Sequence, residues 1–256
     1  MILLFVISCI LMNLQARKLA VKEHCIGTGM RVAHISDLHF DKILVNPSKL
    51  ISILCCGEPD VIVITGDLCS KLKHFSRVTS FLDMLSCKAS CPIFITLGNH
   101  DRRIFHASMI EDLENISPNI HVLENKMFIY KNVLFGGLTD VHSNEDNYGG
   151  LAVKWNRIAE ENGYGYILLT HNPDIVIDMP KLSSLTVMLA GHTHGGQVRV
   201  PFNIEFTVLK KDILPKKGIY YGLHDYNGMK LYITSGIGCS AMPIRLRSKA
   251  EVVFFE

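Results

Sequence analysis

The chain has 256 residues, of which 48% are hydrophobic and 20% are charged, and its formal net charge is +2. This composition is typical of a globular protein with a sizeable core and excludes a disordered chain. The near-neutral charge argues against nucleic acid as a partner, because nucleic-acid-binding domains normally carry a basic face. Cys55 and Cys56 are adjacent, and several other cysteines lie in apolar segments. We therefore expect reduced thiols rather than a disulfide framework.

Residues 1–18 differ in character from the rest of the chain. They are mostly apolar, and their first charges are Arg17 and Lys18. As a helix, the uncharged part would span about 24 Å, which is less than the roughly 30 Å hydrocarbon core of a bilayer. We predict an apolar anchor at a membrane surface or a signal-like segment; the alternative is a first helix or strand buried in the domain. Positive charges behind the apolar run would keep the following domain, residues 30–256, in the cytoplasm.

The first half of that domain alternates between short apolar runs and amphipathic stretches. Residues 18–29 are a polar joint that contains glycine. Beyond this joint, strands are predicted at residues 31–36, 61–65 and 92–97, and helices at 47–56 and 74–86. Asn46 can cap the first of these helices, and Pro47 suits its first turn. This order predicts βαβ units and a parallel sheet covered by helices.

The second half of the chain continues the same mixture of elements. Helices are predicted at 108–116 and 151–161, and strands at 127–130, 133–136, 166–170, 187–190, 231–234 and 251–255. Residues 210–228 are rich in lysine, tyrosine and glycine and lack a clear period, so a surface excursion near the site is predicted there.

Side chains that commonly bind metals follow five of the predicted strands. They are Asp37 with His39, Asp67, Asn99 with His100, His171, and His192 with His194. Each of these residues alone also has an ordinary role in a capped turn or a loop. Together, however, clustered carboxylates and imidazoles cost free energy unless a cation offsets them. The set has enough nitrogen and oxygen donors for two divalent ions, and mixed ligands of this kind accept Mn²⁺, Fe or Zn²⁺.

The order and spacing of these motifs resemble the calcineurin-like metallophosphoesterase family, from Ser36 to about Gln197. The resemblance implies an α/β fold, a four-layer α/β/β/α sandwich with its site at the carboxyl ends of the strands. It also implies that Asp37, His39, Asp67 and His194 bind one ion, and that Asp67, Asn99, His171 and His192 bind the second. Asp67 would then bridge the two ions. His100 would be a general acid or a transition-state stabiliser that Asp101 orients.

Three further stretches, at residues 170–174, 195–197 and 236–238, are similar to a bacterial branch of membrane-associated phosphodiesterases in this family. Some members of that branch cleave the pyrophosphate of UDP-2,3-diacylglucosamine in lipid A biosynthesis. The similarity implies a lipid-linked pyrophosphate substrate, which would also explain an apolar N-terminus. Arg245 and Arg247 are candidates for pairing with a substrate phosphate, and the alternative is that they form exposed salt bridges.

Two other functions are compatible with the same residues. A phosphoesterase with these ligands could act on cyclic nucleotides or phosphoproteins instead of a lipid. A non-catalytic binding module on the same scaffold is the other alternative, although such modules usually lack metal ligands and this chain lacks none of them. The sequence therefore favours a metal-dependent hydrolase that cleaves a phosphodiester or pyrophosphate bond.

Overall fold

The computed structural model describes residues 2–139, 148–199 and 212–256. Its helices are α1 (Ile2–Ala16), α2 (Pro47–Cys56), α3 (Phe75–Lys88), α4 (Asn99–Ile104), α5 (Ala107–Glu114), α6 (Tyr148–Asn162) and α7 (Ile213–Lys216). The strands are β1 (Leu19–His24), β2 (Val32–Ile35), β3 (Val61–Thr65), β4 (Ile93–Thr96), β5 (Ile120–Val122), β6 (Lys126–Tyr130), β7 (Val133–Gly137), β8 (Gly165–Leu169), β9 (Leu185–Ala190), β10 (Gly222–Tyr226), β11 (Met229–Ile233) and β12 (Ala250–Phe255). Short 3₁₀ turns occupy Leu72–His74, Pro173–Asp178 and His194–Gly196.

The strands form two six-stranded mixed sheets, with the order β1-β12-β2-β3-β4-β5 in the first and β10-β11-β9-β8-β7-β6 in the second. Strands β2 to β5 are parallel, and so are β7, β8, β9 and β11. Antiparallel pairs join β12 to β2, β6 to β7 and β10 to β11. The predicted parallel βαβ units are therefore confirmed, and each sheet also has antiparallel strands that the pattern did not indicate.

The alternating direction of side chains along each strand explains how the two sheets pack. In β3, Val61 and Val63 lie in a core between the sheets, whereas Ile62 and Ile64 pack with the residues of α2 and α3. Trp155 on α6 covers the outer face of the second sheet. Because successive strand residues point to opposite faces, a strand buried on both sides needs the continuous apolar run seen here. The layers are helix, sheet, sheet and helix, as predicted.

Two predictions are wrong and one strand was not predicted, and all three differences involve strands at the edges of the sheets. The segment expected to be a joint contains β1, an edge strand that pairs in parallel with β12. Residues 120–122, which had no prediction, form β5 at the other edge of the same sheet. Residues 212–228 contain α7 and the edge strand β10 rather than an irregular excursion, while 210 and 211 lie outside the described residues. Edge strands are half exposed, so they lack the apolar run that marks a central strand.

Helix α1 is attached to the domain on one side. The amide of Arg245 donates to the carbonyl of Met12 at 3.1 Å, and the Asn13 side chain donates to the carbonyl of Pro243 at 2.8 Å. Ala16 is fully buried, whereas Leu11 is 61% exposed. Among the described residues, no helix is both long enough and apolar enough to cross a membrane. All eight cysteines are free thiols, as expected.

Candidate metal centre

The site lies where five strands end, because backbone hydrogen bonds tie the loops beyond those ends together. The amide of Asp37 donates to the carbonyl of Gly66 at 2.9 Å, which joins the loops after β2 and β3. The amide of Gly191 donates to the carbonyl of His171 at 3.0 Å, which joins the loops after β9 and β8. A third contact crosses between the sheets, where the amide of His192 donates to Asp37 Oδ2 at 3.0 Å. The two sheets therefore present their polar loops to one common edge.

Most of the predicted ligands sit in a strained backbone conformation. Positive φ angles occur at Asp37 (52°), His39 (41°), Asp67 (54°), His192 (70°) and His194 (54°). A non-glycine residue in this left-handed region costs about 1–3 kcal/mol, so it persists only where the surrounding structure over-determines it. This concentration of strain marks the edge as a functional region.

Glycine next to the ligands allows the loops to approach closely. A Cβ atom on Gly98 would lie 2.2 Å from Asp67 Oδ1, and one on Gly191 would lie 1.9 Å from Ser36 Oγ. Because real side chains do not tolerate such distances, any other residue would push the carboxylates of Asp67 and Asp37 out of place. The glycines of these motifs are thus explained by close backbone contact.

The first group of ligand atoms consists of Asp37, His39 and His194, all of them buried. The Nε2 atoms of His39 and His194 are 3.2 Å apart. Asp37 Oδ1 is 3.2 Å from His194 Nε2, and Asp67 Oδ2 is 3.4 Å from His39 Nε2. The other ring nitrogen of His39, Nδ1, lies 3.0 Å from Ser70 Oγ. This hydroxyl holds the His39 ring with Nε2 directed at the other ligands.

The second group consists of Asp37, Asp67 and His171. His171 Nε2 is 3.4 Å from Asp67 Oδ2 and 3.3 Å from His192 Nδ1, so His192 borders this group. Asp37 belongs to both groups, whereas the sequence had assigned it to one ion only. The predicted division of ligands between two ions stays a prediction, and the structure brings Asp37 to both candidate positions.

The residues present fit divalent metal ions. Two nitrogen ligands at about 2.0–2.1 Å from one tetrahedral ion lie about 3.3 Å apart, which matches both facing imidazole pairs. Among the described residues, the buried oxygens Asp37 Oδ1 and Asn99 Oδ1 have no hydrogen-bond partner. Buried oxygens of this kind are normally satisfied, so their isolation points to a bound group. The donor set of imidazole, carboxylate and amide oxygen suits Mn²⁺, Fe or Zn²⁺.

The surroundings lower the pKa of both Asp67 and His39. Burial opposes ionisation of Asp67, but the neighbouring imidazoles of His171 and His39 outweigh it and hold the pKa of Asp67 well below its usual value. Burial lowers the pKa of His39, although the carboxylates of Asp67 and Asp37 work in the opposite direction. An ionised Asp67 and a neutral His39 are the forms that bind a cation.

The profile of the calcineurin-like phosphoesterase family matches residues 30–196, which is more than half of the chain. The chain belongs to this family. A relative from Escherichia coli, the phosphodiesterase YaeI, is 30% identical over 243 residues, which cover 88% of this chain and 81% of YaeI. The uncharacterized metallophosphoesterase YkoQ of Bacillus subtilis is 27% identical over 239 residues, which cover 89% of this chain and 83% of YkoQ.

A solved structure supports the same fold. The protein TT1561 of Thermus thermophilus superposes with a TM-score of 0.53 at 12% identity, over 81% of this chain and 90% of that one. With family membership and the cluster of metal-binding residues, the chain is a metal-dependent phosphoesterase, a hydrolase.

His100 and Asp101, which are adjacent in the chain, have different surroundings. His100 is half-buried and its ring lies edge-on to that of His39, with 5.2 Å between ring centroids. Asp101 is fully buried, and its carboxylate accepts the backbone amides of Leu68 at 2.8 Å and Gly98 at 3.0 Å. Burial and the charge of Asp67 raise the pKa of Asp101. The contacts of Asp101 therefore stabilise the loop after β3, and its predicted orientation of the His100 ring stays a prediction.

The predicted role of Arg245 in phosphate binding is wrong, because this side chain is fully buried. Its guanidinium donates to the backbone carbonyls of Ser235 and Gly236 and to that of Gly238. Gly236 in turn lies against Asp37, since a Cβ atom there would be 2.7 Å from the Cβ of Asp37. Arg245 thus supports the backbone beneath the first ligand group.

The sequence did not reveal one contact of the second group. Asp212 Oδ1 lies 3.1 Å from Nε2 of His192, on the side of the ring opposite His171. Asp212 follows no predicted strand and belongs to no recognised motif, so the sequence did not indicate it as a partner of His192. Only the three-dimensional arrangement places this carboxylate beside a predicted ligand.

Proposed function

We propose that the chain is a two-metal hydrolase that cleaves a phosphodiester or pyrophosphate bond in a lipid-linked substrate such as UDP-2,3-diacylglucosamine. The observation that carries the two-metal part is the pair of facing imidazole contacts, His39 with His194 and His171 with His192. The carboxylate of Asp67 lies 3.4 Å from one imidazole of each pair. This arrangement supports two neighbouring cation positions with Asp67 between them.

In the proposed reaction, the side chains of the protein position the metal ligands and supply a proton to the leaving group. When bound, two divalent cations would polarise the phosphoryl group and offset the charge that develops during an in-line displacement. The backbone amide of His100 donates to Asp67 Oδ1 at 2.9 Å, which fixes the start of α4 against the ligand cluster. The half-buried His100 ring can then donate a proton to the leaving oxygen or stabilise its charge.

The lipid-linked part of the proposal is supported by the position of α1. Ile7, Ile10, Leu11 and Leu14 are exposed, and their spacing of three and four residues places them on one face of the helix. The Gln197 side chain, which follows the loop of His194, donates to the carbonyls of Met242 and Ile244 next to the segment that holds α1. An interfacial α1 would therefore bring the candidate metal centre close to a lipid surface, with the domain on the cytoplasmic side.

The catalytic proposal is tested with a substrate panel in Mn²⁺ and, separately, in Zn²⁺. The panel contains bis-p-nitrophenyl phosphate, UDP-2,3-diacylglucosamine, a cyclic nucleotide and a phosphopeptide. We expect turnover of the first two, and loss of turnover in Asp67→Asn. Turnover of only the cyclic nucleotide or the phosphopeptide would show that the proposed lipid-linked substrate is wrong. Fewer than one bound ion per chain, together with no turnover of any substrate, would identify a binding module instead.

The membrane proposal is tested by flotation with anionic liposomes. The wild-type protein is expected to float with the liposomes, and Leu11→Glu is expected to reduce the floated fraction severalfold because a charge on the apolar face opposes burial in the interface. Val153→Glu on α6 is the matched control, since Val153 is also an exposed apolar residue on a helix. Equal flotation of the two variants would refute a role for α1.

A further inference from the structure

The contact between His192 and Asp212 differs from an ordinary surface ion pair. The side chain of His192 is 14% exposed and that of Asp212 is 11% exposed. Asp212 stands at the N-terminal cap position of α7, yet its side chain makes no capping hydrogen bond to that helix. The carboxylate is directed instead at Nε2 of His192, at 3.1 Å. A carboxylate with this orientation contributes little to the helix and can fix the protonation pattern of the imidazole.

The hydrogen bonds around the two rings specify where the protons lie. His171 Nδ1 is 2.8 Å from the carbonyl of Thr65, and because a carbonyl only accepts, Nδ1 carries the proton and the neutral ring has its lone pair on Nε2. By the same argument, His192 Nε2 donates to Asp212, and the neutral form of His192 has its lone pair on Nδ1. These two lone pairs face each other at 3.3 Å. Such an arrangement is repulsive unless a cation lies between them.

Asp212 is itself held by the loop that carries His171. The carboxylate of Asp174 accepts the backbone amides of Ile213 at 2.6 Å and Leu214 at 2.8 Å. Leu214 is fully buried in the core of the second sheet, so the segment is anchored on both sides. Asp174 lies three residues after His171, and one loop therefore provides a ligand and also places the carboxylate that orients the next ligand.

We propose that Asp212 is a positioning residue for the second metal ion, which it serves by keeping His192 in the tautomer whose Nδ1 is available as a ligand. Asp174 is the residue that places Asp212. Histidine ligands commonly donate their second ring nitrogen to a carboxylate, and loss of that partner typically lowers metal affinity about 10- to 100-fold. This inference rests on the proposed two-ion site, and it assigns a role to two residues outside the ligand set.

The first test measures Mn²⁺ binding to metal-free protein by equilibrium dialysis. The wild-type protein is expected to bind two ions. Asp212→Ala should weaken one of the two sites about 10- to 100-fold and leave the other unchanged. Asp212→Asn keeps a hydrogen-bond acceptor without the charge, so a smaller loss is expected. Asp225→Asn is the matched control, because Asp225 is a carboxylate outside the predicted ligand set that accepts a hairpin amide, that of Gly228, at 2.9 Å.

The second test is independent of bound metal. In ¹⁵N-histidine NMR spectra of metal-free protein, His192 should be protonated at Nε2 in the wild type and should become a mixture of tautomers in Asp212→Ala. Asp174→Ala should reproduce both effects without changing a group that contacts His192, and it also serves if Asp212→Ala fails to fold. A wild type that binds fewer than two ions would refute the two-metal proposal. Two unaltered sites in a folded Asp212→Ala, or in Asp174→Ala, would overturn the inference alone.

Discussion

Two buried clusters of polar side chains lie near the same edge of the molecule, and they differ in how their polar atoms are satisfied. In the first cluster, Glu251 is buried and accepts the hydroxyls of Tyr221 at 2.9 Å and Tyr232 at 3.2 Å. It also accepts the hydroxyl of Thr234 at 3.0 Å, and Lys22 Nζ lies 3.1 Å from its Oε2. Both carboxylate oxygens therefore have partners that the chain itself supplies.

The second cluster is the candidate metal centre, and within the described residues it contains a buried carboxylate oxygen, Asp37 Oδ1, without a hydrogen-bond partner. Asp37 Oδ1 lies 3.2 Å from His194 Nε2, and yet within the described ranges it has no partner with hydrogen-bond geometry. A satisfied buried network stabilises a fold, whereas an unsatisfied one costs free energy until a ligand completes it. The comparison assigns Glu251 to the structure of the protein and the Asp37 cluster to its function.

The largest expected effect is loss of catalysis when His192 or His194 is removed. His192→Ala and His194→Ala should each lower kcat at least about 10³-fold, because each removes a ligand from a centre that supplies several kcal/mol of transition-state stabilisation. Each variant should retain about one Mn²⁺, and the site that is emptied should differ between the two. Steady-state kinetics and metal analysis of the purified variants measure both quantities.

His224→Ala is the control for these two variants, since His224 lies on β10, is not a predicted ligand, and has its Nε2 3.0 Å from the carbonyl of Tyr221. It should keep its kcat and both ions. If His192→Ala and His194→Ala emptied the same site, the cluster would be one mononuclear centre rather than two, and the contrast between its two groups would disappear.

The clustering of the predicted ligands could be predicted because these residues follow strand ends, and the central strands are the clearest elements in this sequence. The apolar runs before Asp37, Asp67 and His171 mark central strands, and parallel strands place their carboxyl ends at one edge. The edge strands β1 and β10 were missed for the opposite reason. They lie at the edges of the sheets, where one face is exposed and pairing rather than hydrophobicity defines the strand.

The supporting residues could not be predicted, because their roles depend on contacts between distant segments. Asp212 reaches His192 only after α7 is fixed by Asp174. Arg245 resembled a phosphate ligand in the sequence, since arginine commonly binds phosphate, but its burial under the loop of Gly236 is a property of the fold. Residue type indicates what a side chain can bind, whereas its partner is decided by tertiary structure.

The second expected effect tests the structural cluster. Glu251→Ala should lower the free energy of unfolding by about 3 kcal/mol, because it leaves the hydroxyls of Tyr232 and Thr234 buried without their acceptor. At saturating Mn²⁺ the folded variant should still bind two ions. Urea unfolding and metal analysis check the two statements.

Glu256→Ala is the matched control, since Glu256 is an exposed carboxylate that pairs with Arg31. It should change the free energy of unfolding by less than about 1 kcal/mol. Loss of bound metal in Glu251→Ala at unchanged stability would instead make Glu251 part of the metal centre and would break the comparison.

The third expected effect concerns the candidate metal centre, which should stabilise the fold when it binds ions. Ions that bind only the folded protein stabilise it, so Mn²⁺ at 100 times its dissociation constant should add about 2.7 kcal/mol per site. Relative to metal-free protein, the midpoint of thermal unfolding should rise by about 5–10 °C for each occupied site. Asp67→Asn should lose most of this shift, because Asp67 contacts a histidine of each imidazole pair. An equal shift in Asp67→Asn would show that the ions bind elsewhere.

The smallest effect concerns a buried imidazole that belongs to neither cluster. His34 on β2 is fully buried, and burial lowers its pKa to about 3. The unfolded chain titrates near 6.5, so it binds a proton that the folded protein does not bind between these values. The contribution of His34 to stability is therefore complete above pH 6.5 and decreases by about 1.4 kcal/mol for each pH unit below it.

His34→Gln tests this dependence, because glutamine does not titrate and can still bond the Thr65 hydroxyl, which lies 2.8 Å from His34 Nε2. With a chelator present, lowering the pH from 7 to 5.5 should cost the wild type about 1 kcal/mol more than the variant in urea unfolding. Equal losses would mean that His34 is protonated in the folded state. The expected difference would show that burial alone keeps the His34 imidazole neutral in this fold. Burial also lowers the pKa of His39, so it acts in the same direction on that predicted ligand.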